Sequence, residues 1–382
     1  MARRQKKKRQ IKYFDYSLLF IIIFLICFGL VMLYSTSAYD AQNTFKDPAH
    51  YLKRQAMAFG LGLFGMFVIS RIDYRRWRNM GTLAYLVAFV LCSLVLIPGI
   101  GIDHNGSRRW LGIPNSSMEF QPSEFAKLAV IMFLASLISQ MPKKMAKFSM
   151  VIRVMLVIMP LFGLIAYNNL STAIIVLGIG VAMVFVSSPK YLQFFAVGGV
   201  GVGAIALFLL LPSAGYRGDR IAMWQHPENF EKGFQTLQGL YAIGSGGLFG
   251  KGLGNSMQKL GFVPEAPNDM IFSIICEELG LFGAICVILL FLLLMWRFMV
   301  IANNARDLYG ALLMTGILAH IAIQVVLNIA VVTNSIPNTG VTLPFISYGG
   351  TSVVFLLAEM GLALSVSRGI QFEPDASEIA YD

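Results

Sequence analysis

Apolar residues come in long blocks along this chain, and polar residues gather in the connections between them. A helix that crosses a bilayer needs about 20 predominantly apolar residues. Blocks of that kind run near 16–36, 56–70, 81–100, 125–140, 154–168, 171–187, 192–211, 270–296, 308–333 and 343–367. The pattern predicts an all-α polytopic membrane protein with ten transmembrane helices. The polar stretch "YNNLST" divides 154–187 into two spans rather than one broken helix. Outside the membrane domain, 16–367, lie a basic tail at 1–15 and an acidic tail at 368–382, which ends "QFEPDASEIAYD" and reads as disordered.

The connections set an orientation. Lys and Arg accumulate in the cytoplasmic loops of membrane proteins, and here they fill "RIDYRRWR", "MPKKMAK", "SSPK" and "WRFMVIANNAR". Those stretches share a side with the N-terminus, so both termini are expected in the cytoplasm. On the other side, 168–170 and 334–342 contain no basic residue, and 99–124 and 212–268 have few for their length. A large extracytoplasmic loop, 212–268, lies between helices 7 and 8 and contains Trp224 and "ENFEKGFQTLQGLYAIGSGGLFGKGLG". A loop that long without structure of its own is uncommon unless functional or disordered. Its aromatics and dense glycine predict an ordered active-site loop.

Composition excludes other classes. The chain is 57% hydrophobic and 13% charged, against roughly 25% charged residues in a soluble domain. A large soluble α-protein would need charged helix faces that are absent. Much of the +10 net charge sits in "ARRQKKKRQIK", ahead of the first apolar block. That segment reads as a solvated tail touching anionic membrane lipid; without aromatic interleaving or a folded context, no nucleic-acid partner is expected. The following apolar run lacks a small-residue cleavage site, so it is expected to be a span rather than a cleaved signal peptide. Cys27, Cys92, Cys276 and Cys286 make neither a metal-type spacing nor a disulfide framework.

Four polar constellations interrupt the apolar background. The first is "NGSRRWLGIPNSSMEFQPSEFAKLAV", 105–130. Pro122 suits the first turn of a helix. Arg108, Arg109, Lys127 and a helix N-terminus together suit an anion, phosphate above all. Trp110 suits a membrane–water interface. The plainer reading is interfacial anchoring with a Glu124–Lys127 pair. The second is "PEAPNDMIFSIICEELG", 264–280, where Glu265, Asp269, Glu277 and Glu278 crowd the mouth of an apolar helix. Carboxylates in a membrane are functional candidates by default, although an acidic residue at a helix start also serves the dipole. On a continuous helix at about 100° per residue, Glu277 lies roughly 80° around from Asp269 and Glu278 nearly opposite. Asp269 is then expected to pair with Glu277, and Glu278 with a neighbouring helix.

The third is His320, Gln324 and Asn328, one stripe at four-residue spacing. Such stripes usually make interhelical hydrogen bonds; a proton relay is the alternative. Glu359 is a further membrane carboxylate with no partner identified. The fourth is "TNSIPNTGVTLPFISYGGTSVVF", 333–355, broken by Pro337, Gly340, Pro344, Gly349 and Gly350. Irregular backbone at membrane depth is tolerated where protein buries it or where it lines a cavity, so a re-entrant or loosely wound segment is expected on the outer side. A face with acidic, basic and aromatic groups suits a lipid-linked substrate with an anionic head group.

The blocks "NGSRRWLG" with "FQPSEFAKLA", "GFQTLQGLYAIGSGGLFGKGLG", "PEAPNDMIFSIICEELGLFG" and "NTGVTLPFISYGGTS" occur in that order. With them the chain resembles the SEDS family (shape, elongation, division and sporulation), the group containing FtsW, RodA and SpoVE, from about residue 14 to 368. The resemblance implies a ten-helix fold and a peptidoglycan glycosyltransferase that polymerises lipid II outside the bacterial cytoplasmic membrane, in cell division, sporulation or shape maintenance. It puts the family's catalytic aspartate at Asp269, its loop arginine at Arg109, its fourth-helix lysine at Lys127 and its tryptophan at Trp110. It also implies a partner, a class B penicillin-binding protein with a single-span transpeptidase architecture. Thr342 in "GVTLPF" is closer to FtsW and SpoVE than to RodA, which usually has proline there. One block departs: many members carry a "QPDLGTA"-like motif between helices 5 and 6, where this chain reads "YNNLSTA", with Asn169 and Ser171. Since Asp269 remains, that motif is expected to be structural.

The implied reaction is an inverting displacement. An acceptor sugar 4-hydroxyl attacks the anomeric carbon of the donor, and undecaprenyl pyrophosphate leaves. Asp269 is the expected general base. Arg109 and Lys127, with Arg108 as a weaker candidate, are expected to stabilise the leaving pyrophosphate, with Trp110 and Glu277 completing the substrate-binding set. A divalent cation, Mg2+ or Mn2+, could share that work, although the sequence shows no dedicated metal cage. Two rivals belong to other classes. A lipid II flippase needs an intramembrane polar path through His320, Gln324, Asn328 and Glu359. A scaffold that recruits the transpeptidase needs no chemistry at all.

Overall fold

The computed structural model describes residues 13–97, 99–104, 107–112, 119–190, 224–230 and 233–370. Its helices are α1 (Tyr16–Phe45), α2 (His50–Arg71), α3 (Gly81–Val95), α4 (Pro122–Ser139), α5 (Phe148–Asn168), α6 (Leu170–Ser187), α7 (Phe234–Gly246), α8 (Ile271–Asn303), α9 (Leu308–Val332) and α10 (Thr351–Arg368). Among the described residues nine helical segments are long and apolar enough to cross a membrane, all of these except α7, with α3 counted together with the 3-10 turns at Tyr74–Met80 that lead into it. The expected span at 192–211, much of the loop that follows it and most of both tails lie outside the described residues.

Burial is inverted relative to a water-soluble protein. Phe20 is 70% exposed and Phe64 68%, whereas Lys127, Glu277, Glu278, His320 and Glu359 are all buried. Charged side chains are almost never fully buried in soluble folds unless paired. An apolar exterior around a polar-seamed interior is what a hydrocarbon solvent selects, and the chain is a multi-pass membrane protein.

Local chemistry sets the helix starts. Asp15 caps α1, accepting the Leu18 N–H at 2.9 Å, and pairs with Arg297 at the end of α8. Pro122 occupies the first position of α4, where its missing N–H is no loss. Asn169 caps α6 by accepting the Thr172 N–H at 3.1 Å. Asn and Asp cap about equally well, which supports a structural role for the "YNNLSTA" turn. In the bundle, α2 packs on α10, α3 on α4, α9 on α4 and α6, and α8 on α1 and α9.

One end of the bundle collects the basic connections. Arg75 pairs with Asp307 at 2.7 Å, and Arg368 donates to the Ser70 carbonyl at 3.0 Å. The opposite end carries the irregular segments, and there the sequence reading needs three corrections. The 99–124 connection forms a small antiparallel sheet in its described part: β1 (Gly101–His104), β2 (Ser107–Gly112) and β3 (Glu119–Phe120), with Trp110 opposite Ile102. The span expected at 343–367 becomes helical only at Thr351, because 333–350 stays irregular, with positive φ at Asn334, Gly340, Phe345 and Gly350. The helix expected from 270 has a break inside it, at Gly280.

Candidate functional site

Asp269 lies in the turn just before α8. It is 7% exposed, and its Oδ1 accepts from Gln235 Nε2 on α7 at 3.2 Å. Burial, assisted by the nearby Glu265 charge, pushes its carboxyl up to about 7 from an ordinary 3.8. A carboxylate that is half protonated near neutrality is suited to accept a proton from a hydroxyl. Its backbone carbonyl is held by Asn328 Nδ2 at 2.8 Å, so α9 fixes the turn that presents the carboxyl.

The broken segment after α9 passes beside this turn. Ser171 donates to the Thr339 carbonyl at 2.7 Å, Asn328 to the Val341 carbonyl at 2.7 Å and Gln324 to the Thr342 carbonyl at 3.0 Å. Further on, Gln55 on α2 accepts from the N–H groups of Gly349 and Gly350, and Tyr348 N–H donates to the Pro267 carbonyl. Backbone that forms neither helix nor sheet needs such partners in a membrane. The segment is the irregular stretch expected from its prolines and glycines. It runs against Asp269: a Cβ added at Gly340 would lie 3.9 Å from Asp269 Oδ2.

The glycine-rich stretch after α7 is ordered, and the break in α8 is where it docks. At Gly280 the backbone turns to φ 69°, ψ −168°. Lys251 and Gly252 N–H donate to the carbonyls of Glu277 and Glu278, while Leu281 and Phe282 N–H donate to those of Gly247 and Leu248, at 2.9 to 3.0 Å. The loop backbone thus replaces the helix bonds lost at the break. The approach is so close that a Cβ on Gly280 would sit 2.3 Å from the Gly250 nitrogen, and one on Gly250 would sit 2.1 Å from the Glu278 carbonyl oxygen. Only glycine fits either position.

Glu277 and Glu278 lock this loop down. Glu277 is fully buried; Lys251 Nζ lies at 2.6 Å, the Ser256 hydroxyl donates to it, and the N–H groups of Met257 and Gln258 donate at 3.3 Å. Glu278, equally buried, takes Lys259 Nζ at 2.7 Å and the Ser35 hydroxyl of α1 at 2.8 Å. The neighbouring helix expected for Glu278 is therefore α1. The expectation for Glu277 needs correction. Its carboxylate is engaged by loop donors and holds the loop. It does not pair with Asp269, because α8 begins only at Ile271 and the two never share a helical wheel.

The basic groups gather on the other flank. Arg108 is exposed, and Arg109 donates from Nε to the Asn168 carbonyl at 3.0 Å. Both line a cavity of about 30 Å³ with Pro122, Ser123, Asn168 and Asn169. That volume suits a water rather than a diphosphate, so an anion would sit over its mouth. Trp110 is half-buried on the same strand. The flank connects to Asp269 through the α5–α6 turn: Arg109 holds Asn168, and Ser171 holds Thr339, next to Gly340. Lys127 is buried, paired with Glu124 at 3.0 Å and donating to Gln324 at 3.2 Å. The pair expected from their three-residue spacing is present. The stripe on α9 makes interhelical bonds, as its period suggested: His320 Nδ1 meets Glu359 of α10 at 2.8 Å and Gln324 meets Lys127 of α4, while His320 Nε2 meets Gln324 within α9 at 2.9 Å.

Sequence reasoning missed Gln235, Lys251 and Lys259. The signal for the lysines was available, since two buried carboxylates demand cationic partners and the stretch 247–268 just before them holds two lysines. Gln235 gave none.

Comparison with known proteins adds to this geometry. The family described as cell cycle protein, FtsW/RodA/SpoVE, matches residues 16–371. Stage V sporulation protein E of Bacillus subtilis is 42% identical over 93% of this chain and 97% of its own length. A probable peptidoglycan glycosyltransferase FtsW of Trichlorobacter lovleyi is 38% identical over 97% of each. Among solved structures, a chain of a peptidoglycan synthase complex that coordinates polymerization and crosslinking superposes with a TM-score of 0.76, at 29% identity, over 93% of this chain and 98% of that one. Rod shape determining protein RodA of Thermus thermophilus gives 0.70 at 28% identity, over 94% and 98%.

Proposed function

The chain belongs to the FtsW/RodA/SpoVE family of cell cycle proteins, and from that premise we propose that it is a peptidoglycan glycosyltransferase that polymerises lipid II at the outer face of the cytoplasmic membrane. The observation that carries the reading is Asp269. It is the family's expected catalytic aspartate, buried with its carboxyl near neutrality, beside a broken segment whose carbonyls α6 and α9 hold.

In the reaction, Asp269 removes the proton from the acceptor sugar 4-hydroxyl as that oxygen attacks the donor anomeric carbon. Arg109, Arg108 and Lys127 stabilise the departing pyrophosphate, and Trp110 lies against the same substrate. Lys127 acts from within the bundle, because Glu124 and Gln324 already engage its ammonium. Among the described residues no three His, Cys, Asp or Glu side chains form a metal-ligating cluster. In this proposal a divalent cation would reach the site on the substrate's own phosphates.

Both termini face the cytoplasm in this proposal, and the Asp269 end faces outward, which the basic connections at the opposite end support. The peptidoglycan synthase complex among the structural neighbours supports a class B penicillin-binding protein as partner. The branch is FtsW- or SpoVE-like, supported by Thr342 and by those two relatives.

The test is glycan-chain formation from purified lipid II by the protein in vesicles, with its transpeptidase partner. Polymer from wild type and none from folded Asp269→Ala supports the enzyme. Transport of labelled lipid II without polymer supports a flippase, and neither activity supports a scaffold.

A further inference from the structure

The chain Glu124–Lys127–Gln324–His320–Glu359 crosses from α4 through α9 to α10, and the mechanism above uses only its Lys127 end. We infer that His320 and Glu359 are positioning residues for the glycosyl transfer: they fix the side-chain amide of Gln324, which fixes the Lys127 ammonium and the Thr342 carbonyl beside the Asp269 turn. This rests on the glycosyltransferase reading and deepens it.

The orientation of Gln324 follows from its two ends. Its Nε2 donates to the Thr342 carbonyl at 3.0 Å, and its Oε1 accepts from Lys127 Nζ at 3.2 Å. An ammonium only donates and a carbonyl only accepts, so a flipped amide would put like against like at both ends. With Oε1 fixed as the acceptor, His320 Nε2 at 2.9 Å has to carry a proton. Its Nδ1 then faces the Glu359 carboxyl at 2.8 and 3.1 Å. One proton lies between those two groups, whether as imidazolium with carboxylate or as imidazole with carboxylic acid. In either form the Nε2–H stays aimed at Gln324. Without Glu359, a neutral His320 is free to shift its proton to Nδ1 and present a lone pair to Gln324 Oε1, which repels it.

Burial makes this control effective. Glu124 is 8% exposed, Lys127 2%, Gln324 3%, His320 1% and Glu359 1%. No solvent is at hand to substitute for a lost partner, and buried polar networks are costly when half satisfied. The same helix face carries the effect to the base. His320 and Asn328 lie two four-residue steps apart on α9, about 12 Å along the helix axis. Asn328 holds both the Asp269 carbonyl and the Val341 carbonyl, and Gln324 holds the next carbonyl in the chain, that of Thr342. Gluing α9 to α10 would need only the His320–Glu359 contact. It would not need the second ring nitrogen to be in line with Gln324 and Lys127.

The test measures kcat and KM for lipid II polymerisation by the full chain with its partner, per folded molecule. His320→Ala and Glu359→Leu are expected to lower kcat by about 10- to 100-fold, the range typical of orienting groups behind a reactive centre, with KM little changed. His320→Gln, which can still donate to Gln324, restores most of the rate. Glu359→Gln keeps the rate, because its amide can donate to Nδ1 and leave the proton on Nε2. In a Lys127→Ala background, His320→Ala has a smaller effect than in wild type, as expected for coupled groups, with the remainder passing through the Thr342 carbonyl. Should His320→Ala fail to fold, Gln324→Met, of similar length and without the hydrogen bonds, supplies the same comparison. Unchanged kcat in folded His320→Ala or Gln324→Met, or effects of His320 and Lys127 that simply multiply, overturns this assignment alone. No polymer from wild type overturns the glycosyltransferase reading and this assignment with it.

Discussion

Asp269 is placed where a carboxylate costs stability, and Asp269→Asn exposes that cost. The side chain is 7% exposed, and its carboxyl is pushed from 3.8 to about 7, chiefly by burial and then by Glu265. A displacement of that size corresponds to about 4 kcal/mol between the neutral and charged forms. The folded protein holds this proton more tightly than the unfolded chain does, so the sign is unfavourable. The penalty is absent below pH 3.8, grows as pH rises and is complete above about pH 7. Asparagine has the same shape, can keep the Gln235 contact through its Oδ1 and carries no charge. Asp269→Asn should therefore raise the thermal midpoint at pH 8 by several degrees, with about 4 kcal/mol as the ceiling. The gain should shrink at pH 5. The assay is thermal unfolding of both proteins in one detergent at the two pH values. A midpoint at pH 8 below wild type, or an equal difference at both pH values, would refute the idea that a buried charge sets the properties of this residue. A position that destabilises the fold while serving the proposed reaction is the expected trade at an active site.

The loop and its anchors yield three further expectations. Gly280→Ala would put a Cβ 2.3 Å from the Gly250 nitrogen, so it should expel the glycine-rich loop and raise hydrogen exchange across 247–262; unchanged protection there contradicts the docking role of the break. Lys259→Met leaves the fully buried Glu278 without its ammonium at 2.7 Å and should cost about 3–5 kcal/mol, read as a lower thermal midpoint. A loss within about 0.5 kcal/mol, the scale of an ordinary surface change, would mean that Ser35 and the Ser256 N–H suffice. Asn169→Asp exchanges one good helix cap for another and should leave both midpoint and polymerisation rate near wild type; a large gain in rate would show that the α5–α6 turn has a chemical role.

The parts of this protein that were legible in its sequence are those governed by local composition. Apolar block length located every spanning helix that is described, and the four-residue spacing of His320, Gln324 and Asn328 identified a bonded stripe. Prolines and glycines in 333–350 marked the irregular segment. What stayed hidden depends on contacts between distant segments. The break at Gly280 is stabilised by backbone from 247–252, so nothing within α8 alone announces it. Glu277 looked like a partner for Asp269 because a continuous helix was assumed; its real partner, Lys251, is 26 positions away in the chain. Gln235 touches the proposed base only because α7 packs on α8.

The most direct test of the central claim is the rate of lipid II polymerisation by wild type and by Asp269→Ala, measured from pH 5 to 9 on folded, reconstituted protein. A base near 7 predicts a wild-type rate that climbs from pH 6 to pH 8 and then levels, because the carboxylate must be ionised to accept the proton. Asp269→Ala should be about 10²- to 10⁴-fold slower, and its rate should no longer follow that titration. Equal rates in the two proteins, or a mutant that keeps the wild-type pH profile, would place the proton transfer on another group.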